Sequence, residues 1–416
     1  MKLSWLERIF AVTNQGYSKV ICLLGVTIRF SGSLLCKFYR YLPIDNNKIV
    51  LSNFDGAGYG CNPKYITQEI IKRKLPYKLV WLVRNPGDEA ELENFPKQIK
   101  LVNFFSLKAL KELSTAKVWI DNQRKVRFIK KGLLKRQNQY YIQTWHGSLG
   151  IKKLDANVSA FVSEENQVWV NYAKQDSAMT DFFLTNSDFE LKVFKSAMWF
   201  NNEYKNYGHP RNDVFYKDNS EICKKVKDYY EISESDHILL YVPSFRDDGR
   251  LYCFGLEYDN LLDSLKEKFG GEWKILVRMH PRFVKFQQRL IPQNENIINV
   301  SEYPDIQELL VASDIAITDY SSCIFDFMLS RKPGFIYASD IKEYDNDRGF
   351  YYPLTSTPFP VAQHNEELRK NILNFNYESY REKVEEFLKD KGCMEDGHAS
   401  ERVVDLIEEI MSKGVK

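Results

Sequence analysis

At 416 residues the chain exceeds the usual size of one domain, and its 44% hydrophobic and 14% aromatic content is enough for two cores. A formal charge of only +2 excludes attraction to nucleic acid or membrane through the global field, so any such attraction must come from local patches. Seven scattered cysteines without a C-x-x-C pair argue against a disulfide framework and a zinc site, and point to a reducing, cytosol-facing setting.

Residues 1–42 carry Lys2, Arg8, Lys19, Arg29, Lys37 and Arg40 against the single acid Glu7, interleaved with Trp5, Phe10, Phe30, Phe38 and Tyr39. This mixture predicts amphipathic helices lying in a membrane interface. The apolar run at 20–28 is stopped by Arg29, well short of the roughly 20 residues that span a bilayer, and no signal-peptide cleavage site follows it. The string KIVLSN (48–53) reads as a first strand, followed by the glycine-rich turn DGAGYG (55–60) and a helix over 63–74. A strand at 77–84, a helix at 106–114 and strands at 117–121 and 140–144 continue the alternation, which predicts a parallel sheet. Between the last two strands lie Arg124, Lys125, Arg127, Lys130, Lys131, Lys135 and Arg136 without an acid, interleaved with Phe128, Ile129, Leu133 and Leu134. Such a patch suits anionic lipid; no nucleic-acid module accompanies it.

The string QTWHGSLGIKKL (143–154) then puts His146 and Gly147 at a strand's carboxyl end, where open α/β sheets place reactive groups. Segments at 168–172, 182–187 and 189–200 extend the pattern, and GHPRND (208–213) has the texture of a connector between domains. The second half restarts with a strand at 237–242 ending in PSFRDD, a helix at 258–269, and a strand at 273–278 ending in MHPR. Arg246, Arg278 and Arg282 offer donors to phosphate oxygens, and His280 can exchange a proton near neutral pH. The pair Asp247 and Asp248 reads as a turn or an arginine partner, since no further ligand cluster supports a metal. Residues 314–318 form a buried strand that runs into a helix over Ile324, Phe325, Phe327, Met328 and Leu329. At the junction Asp319, Tyr320, Ser321 and Ser322 gather hydroxyls and free N–H groups at the positive end of a helix, the makings of an anion site. From 377 the tail is helical and charged, and is expected to pack back across the domain junction.

Seven ordered strings, QTWHG, GHPRND, YVPSFRDD, RMHP, SEYPDIQELL, TDYSS with FD, and RGFYYPL, resemble the CDP-glycerol glycerophosphotransferases of teichoic acid and capsular polymer synthesis. The resemblance runs from about residue 48 to DGHASERV at 396–403. It departs after His146, where GSLGIKKL replaces a GTPLKKL-like form. It implies an α/β GT-B fold, with two Rossmann-like domains facing across a cleft. The expected divisions are interfacial helices at 1–42, an acceptor-side domain at 43–208, a nucleotide-donor domain at 209–376, and junction-packing helices at 377–416. It also implies a peripheral enzyme on the cytoplasmic face of the cell membrane that uses CDP-glycerol, a lipid-linked glycan or polyol-phosphate acceptor and an anionic membrane surface, with no metal or cofactor.

The implied reaction needs positioning and charge stabilisation above all. On that reading Ser321 and Ser322 hold the donor pyrophosphate together with Arg246, while Arg278 and His280 offset charge on the transferring or leaving phosphate. Asp326, one turn past Ser322, reaches a ribose hydroxyl, and Asp319 joins it at the nucleotide. His146 is the general base, in a role exchangeable with that of His280, and Gly147, Lys152 and Lys153 face the acceptor. CDP-ribitol as donor, a GT-B glycosyltransferase or epimerase acting on a nucleotide sugar, and a catalytically silent membrane scaffold are the alternatives.

Overall fold

The computed structural model of the protein describes residues 10–15, 18–23, 26–158, 166–246, 249, 251–280 and 287–413. The strands β1 (Phe10–Gln15), β2 (Ser18–Leu23) and β3 (Val26–Ser31) pair in a three-stranded antiparallel sheet, where helices were expected. Val20, Ile21, Val26, Thr27 and Ile28 explain the difference: β-branched side chains crowd a helix and suit a pleated surface. Among the described residues before 43, Gly32–Tyr39 is helical, and residues 1–9 of the expected interfacial segment lie outside the described ones.

A seven-stranded sheet follows: β4 (Asp45–Ser52), β5 (Lys78–Val83), β6 (Lys100–Asn103), β7 (Ala116–Asp121), β8 (Tyr140–Gln143), β9 (Phe182–Thr185) and β10 (Glu203–Asn206). Its spatial order is β10-β9-β8-β7-β4-β5-β6, with every pairing parallel. A six-stranded parallel sheet holds β11 (His237–Val242), β12 (Trp273–Val277), β13 (Ile297–Asn299), β14 (Ile315–Thr318), β15 (Gly334–Tyr337) and β16 (Val361–Ala362). Its order is β13-β12-β11-β14-β15-β16.

Side-chain alternation along the strands divides the first core into two layers. Ile49, Leu51, Trp81, Val83, Val118 and Ile120 face one way and pack on Ile66 and Ile70 of the helix Cys61–Lys72. Val50, Val80, Leu82 and Trp119 face the other way, onto Leu110 and Leu113 of the helix Leu107–Thr115. Burial on both faces is why these strands read as continuous apolar runs. The chain's last helix, Ala399–Ser412, returns to the first sheet through Val403, Ile407 and Ile410, whereas the preceding helix, Tyr377–Asp390, packs into the second core through Val384, Phe387 and Leu388. The tail therefore crosses from one unit to the other. Among the described residues, no helix is long and apolar enough to cross a membrane.

Candidate active site

The carboxyl ends of the strands carry nearly all of the sequence motifs, as expected for open parallel sheets. At the end of β8 the backbone turns through Trp145, whose φ of 51° puts a bulky residue in the left-handed region. Asn62, buried in the first turn of Cys61–Lys72, sustains this conformation by donating from Nδ2 to the carbonyls of Thr144 (3.2 Å) and Trp145 (3.1 Å). His146 follows, stacked on the Trp145 ring at 4.5 Å and met by the edge of Phe54 at 5.0 Å. Its Nδ1 lies 2.6 Å from the carbonyl oxygen of Asn122. A carbonyl only accepts, so Nδ1 carries the proton and Nε2 keeps its lone pair. Asn122 is itself fixed, accepting from the Phe54 N–H (2.9 Å) and donating to Asn53 Oδ1 (2.8 Å). Burial, with Arg211 and His209 nearby, lowers the His146 imidazolium from 6.5 to about 4, which leaves the ring neutral at physiological pH.

The next residues are held from the GHPRND segment. Arg211, 2% exposed, donates from Nη2 to the Gly147 carbonyl (3.0 Å) and from Nε to Asp326 Oδ2 (2.9 Å). Asp326 also accepts from Asn212 Nδ2 at 3.0 Å. Ser148 accepts from Asn186 Nδ2 at 2.6 Å, and the same amide donates to Glu395 at 3.0 Å. Burial lifts the Glu395 carboxyl from 4.5 to about 7.

The second unit meets this loop directly. Leu149 and Ile151 are buried in the second unit's core, the Tyr351 N–H donates to the Ile151 carbonyl (2.7 Å), and the Lys153 N–H donates to that of Gly349 (3.0 Å). The GIKKL and RGFYYPL strings thus join the two units by backbone pairing. A Cβ on Gly150 would sit 3.2 Å from the Ser322 Cβ, so only a small residue lets the His146 loop approach the half-buried Ser321–Ser322 turn. The helix behind those serines, Cys323–Phe327, is short and continues into a 3-10 turn, Met328–Ser330. The His280 ring lies tilted against that of Phe245, centroids 4.5 Å apart, which brings the end of β12 to the segment after β11. Lys64 of the first unit bridges to Asp305 and Glu308 of the second, each at 2.7 Å.

Several expected roles change. Arg246 is 4% exposed, and its guanidinium is engaged by both oxygens of Asp340 (2.6 and 2.8 Å), by Asp319 (2.8 Å) and by the Ser244 carbonyl (2.8 Å). Buried between carboxylates, Arg246 ties the segment after β11 to Asp319 and Asp340. Asp319 also accepts from the Ser244 N–H at 2.8 Å, and Asp326, expected at the ribose, accepts from Arg211 and Asn212. Arg278 donates from Nη1 to the carbonyls of Val300 (3.1 Å) and Tyr303 (2.7 Å), which binds the strand end to its neighbouring loop. Lys152 and Lys153, expected on the acceptor side, cross instead to the second unit, where Lys152 Nζ donates to Ser244 Oγ at 3.3 Å. Gly147 stays with the first unit, its carbonyl held by Arg211. In the basic run, Arg124 pairs internally with Asp155 (2.6 Å) and Lys125 with Asp121 (2.7 Å), while Lys135 is bound to Asp181. Much of that patch is core, with Phe128 and Leu133 buried beneath it. Asp247, Asp248 and Arg282 lie outside the described residues. Sequence reading missed Asn62, Asn122, Asn186 and Glu395; the signal for Arg211 and Asn212 was present in GHPRND but was read as a connector.

Two parallel α/β units meeting through the loops at their strand ends, with a histidine from one and a serine turn from the other at the junction, define a GT-B-like transferase architecture. The chain belongs to the CDP-Glycerol:Poly(glycerophosphate) glycerophosphotransferase family, which matches residues 34–409. It is 31% identical over 386 residues to the teichoic acid poly(glycerol phosphate) polymerase of Bacillus spizizenii, covering 90% of this chain and 95% of that protein. The polymerase of the same description from Staphylococcus epidermidis is 30% identical over 373 residues; there the alignment covers 86% of this chain but only 50% of the relative's length. The solved structure of the wall teichoic acid polymerase TagF superposes with a TM-score of 0.79 at 27% identity, over 92% of this chain and 95% of that one.

Proposed function

We propose that the protein transfers glycerol phosphate from CDP-glycerol to a hydroxyl of a lipid-linked acceptor, releasing CMP, in the synthesis of teichoic acid or a related surface polymer. The observation that carries this reading is the His146 tautomer: an accepting Nε2, fixed by the Asn122 carbonyl, on a loop whose Gly150 packs against Ser322 of the opposite unit. His146 Nε2 takes the acceptor's hydroxyl proton as its oxygen attacks the β-phosphorus. The new P–O bond forms while the bond to the bridging oxygen breaks, and that electron pair leaves with CMP. Ser321 and Ser322 donate to the pyrophosphate oxygens, and His280 together with the Arg278 charge offsets the leaving phosphate. Arg246, Asp319 and Asp326 act indirectly, by holding the loops that present these groups.

Glycerol phosphate in the names of the relatives favours CDP-glycerol over CDP-ribitol. The site of action proposed is the cytoplasmic face of the membrane. Support for surface attachment comes from Val26, Ile28, Leu34, Phe38 and Tyr41, which are exposed on the N-terminal module. The test is incubation of the purified protein with a lipid-linked acceptor and, separately, CDP-glycerol, CDP-ribitol and a UDP-sugar. CMP release coupled to transfer from CDP-glycerol supports the reading; transfer from the UDP-sugar alone replaces it with a glycosyltransferase.

A further inference from the structure

The loop that carries His146 is held at two of its residues, Gly147 and Ser148, by groups that converge on one carboxylate. Glu395 Oε1 accepts from Asn186 Nδ2 (3.0 Å) and from Asn212 Nδ2 (2.8 Å), and Oε2 accepts from the His209 N–H (3.1 Å). One arm runs from Glu395 through Asn186 to Ser148 Oγ. The other runs through Asn212 to Asp326, on to Arg211, and ends at the Gly147 carbonyl.

Glu395 reaches this place on the segment 391–397, which joins the helix of the second core to the helix packed on the first sheet. That segment docks along the loop after β9: the Met394 N–H donates to the Asn186 carbonyl (2.8 Å) and the Phe189 N–H to that of Lys391 (3.1 Å). The fit leaves no spare room, since a Cβ on Gly208, at φ 85°, would lie 2.9 Å from Glu395 Oε2.

We propose that Glu395 is a positioning residue of the active site, through which the chain's own C-terminal segment locks Gly147 and Ser148, and with them His146, into the reactive geometry. Each oxygen of the carboxylate faces at least one N–H donor, Oε1 the two asparagine amides and Oε2 the His209 N–H. A glutamine of the same shape must therefore turn its amide hydrogens toward a donor, loosening the junction without emptying it. The inference rests on the reading of His146 as general base, and a displacement of about 1 Å in such a group costs on the order of 100-fold in rate.

The experiment compares full-length wild type with Glu395→Gln by two readouts: steady-state kinetics with CDP-glycerol, and hydrogen exchange of the amides at 146–150. The proposal expects kcat to fall about 10- to 100-fold, with KM for CDP-glycerol little changed and exchange at 146–150 accelerated while the strand amides of β4 and β11 stay protected. Asn186→Ala cuts one arm but leaves the carboxylate its bonds from Asn212 and His209, and should reproduce the faster exchange if Glu395→Gln does not fold. Unchanged exchange at 146–150 in the folded variants overturns the proposal, as does unchanged kcat. If wild type fails to turn over CDP-glycerol, the donor assignment is what fails, and the exchange measurement still decides the positioning role.

Discussion

Asp326→Ala separates a structural carboxylate from a nucleotide ligand. In the structure Asp326 is 4% exposed and accepts from Arg211 Nε (2.9 Å), Arg211 Nη2 (3.2 Å) and Asn212 (3.0 Å). Arg211 is equally buried, and its Nη1 already has no hydrogen-bond partner among the described residues. Removing the carboxylate leaves a buried guanidinium with the Gly147 carbonyl as its remaining side-chain partner, a change that costs about 3–5 kcal/mol when one member of a buried pair is lost. Denaturant unfolding should therefore move to a much lower midpoint, and turnover should fall because the Gly147 carbonyl loses a fixed donor. Replacing both partners, Arg211→Met with Asp326→Leu, should recover most of the stability, since no uncompensated charge is left inside. If Asp326→Ala keeps the wild-type midpoint and instead raises KM for CDP-glycerol alone, the carboxylate is a ribose ligand and the network described here is not what it holds.

His146 is held below its ordinary value, so the stability tied to its neutral form is complete above pH 6.5 and is lost as pH falls toward 4. His146→Gln should accordingly lose less unfolding free energy than wild type on acidification across that window, a difference of about 3 kcal/mol at most in denaturant unfolding. Arg246→Lys should destabilise the second unit, because an ammonium cannot span Asp319 and Asp340 as the planar guanidinium does; limited proteolysis after the substitution should cut between 243 and 256. Phe38→Ser with Lys37→Ser should weaken flotation with anionic vesicles at low salt, whereas wild type that fails to float removes the surface assignment.

How far the sequence was readable depended on how local the determinant was. β5, β11 and β14 are mostly apolar runs with polar residues after them, and their positions follow from the chain itself. The two-residue β16 is too short to show a period, and polar residues fill half or more of the short strands β6 and β10. At 20–28 a short apolar run has no length that separates a helix from a strand, and β-branching decided it. The same limit governs the site. His146, His280, Ser321 and Ser322 stand at strand ends that the local pattern marks. The functions of Arg246 and Asp326 depend on partners 94 and 115 positions away, Asp340 and Arg211, and no spacing rule reveals those pairings. Residue type identified charges that suit a phosphate; only the fold shows that these particular charges are already paired.

In the proposed reaction His146 Nε2 is the base for transfer from CDP-glycerol. The most direct measurement is single-turnover transfer to a lipid-linked acceptor by wild type and His146→Ala, set beside calorimetric binding of CDP-glycerol to both. A loss of about 10²–10⁴-fold in the transfer rate, with donor affinity nearly unchanged, is the predicted result. Near wild-type transfer by His146→Ala, or abolished donor binding in that variant, would contradict it.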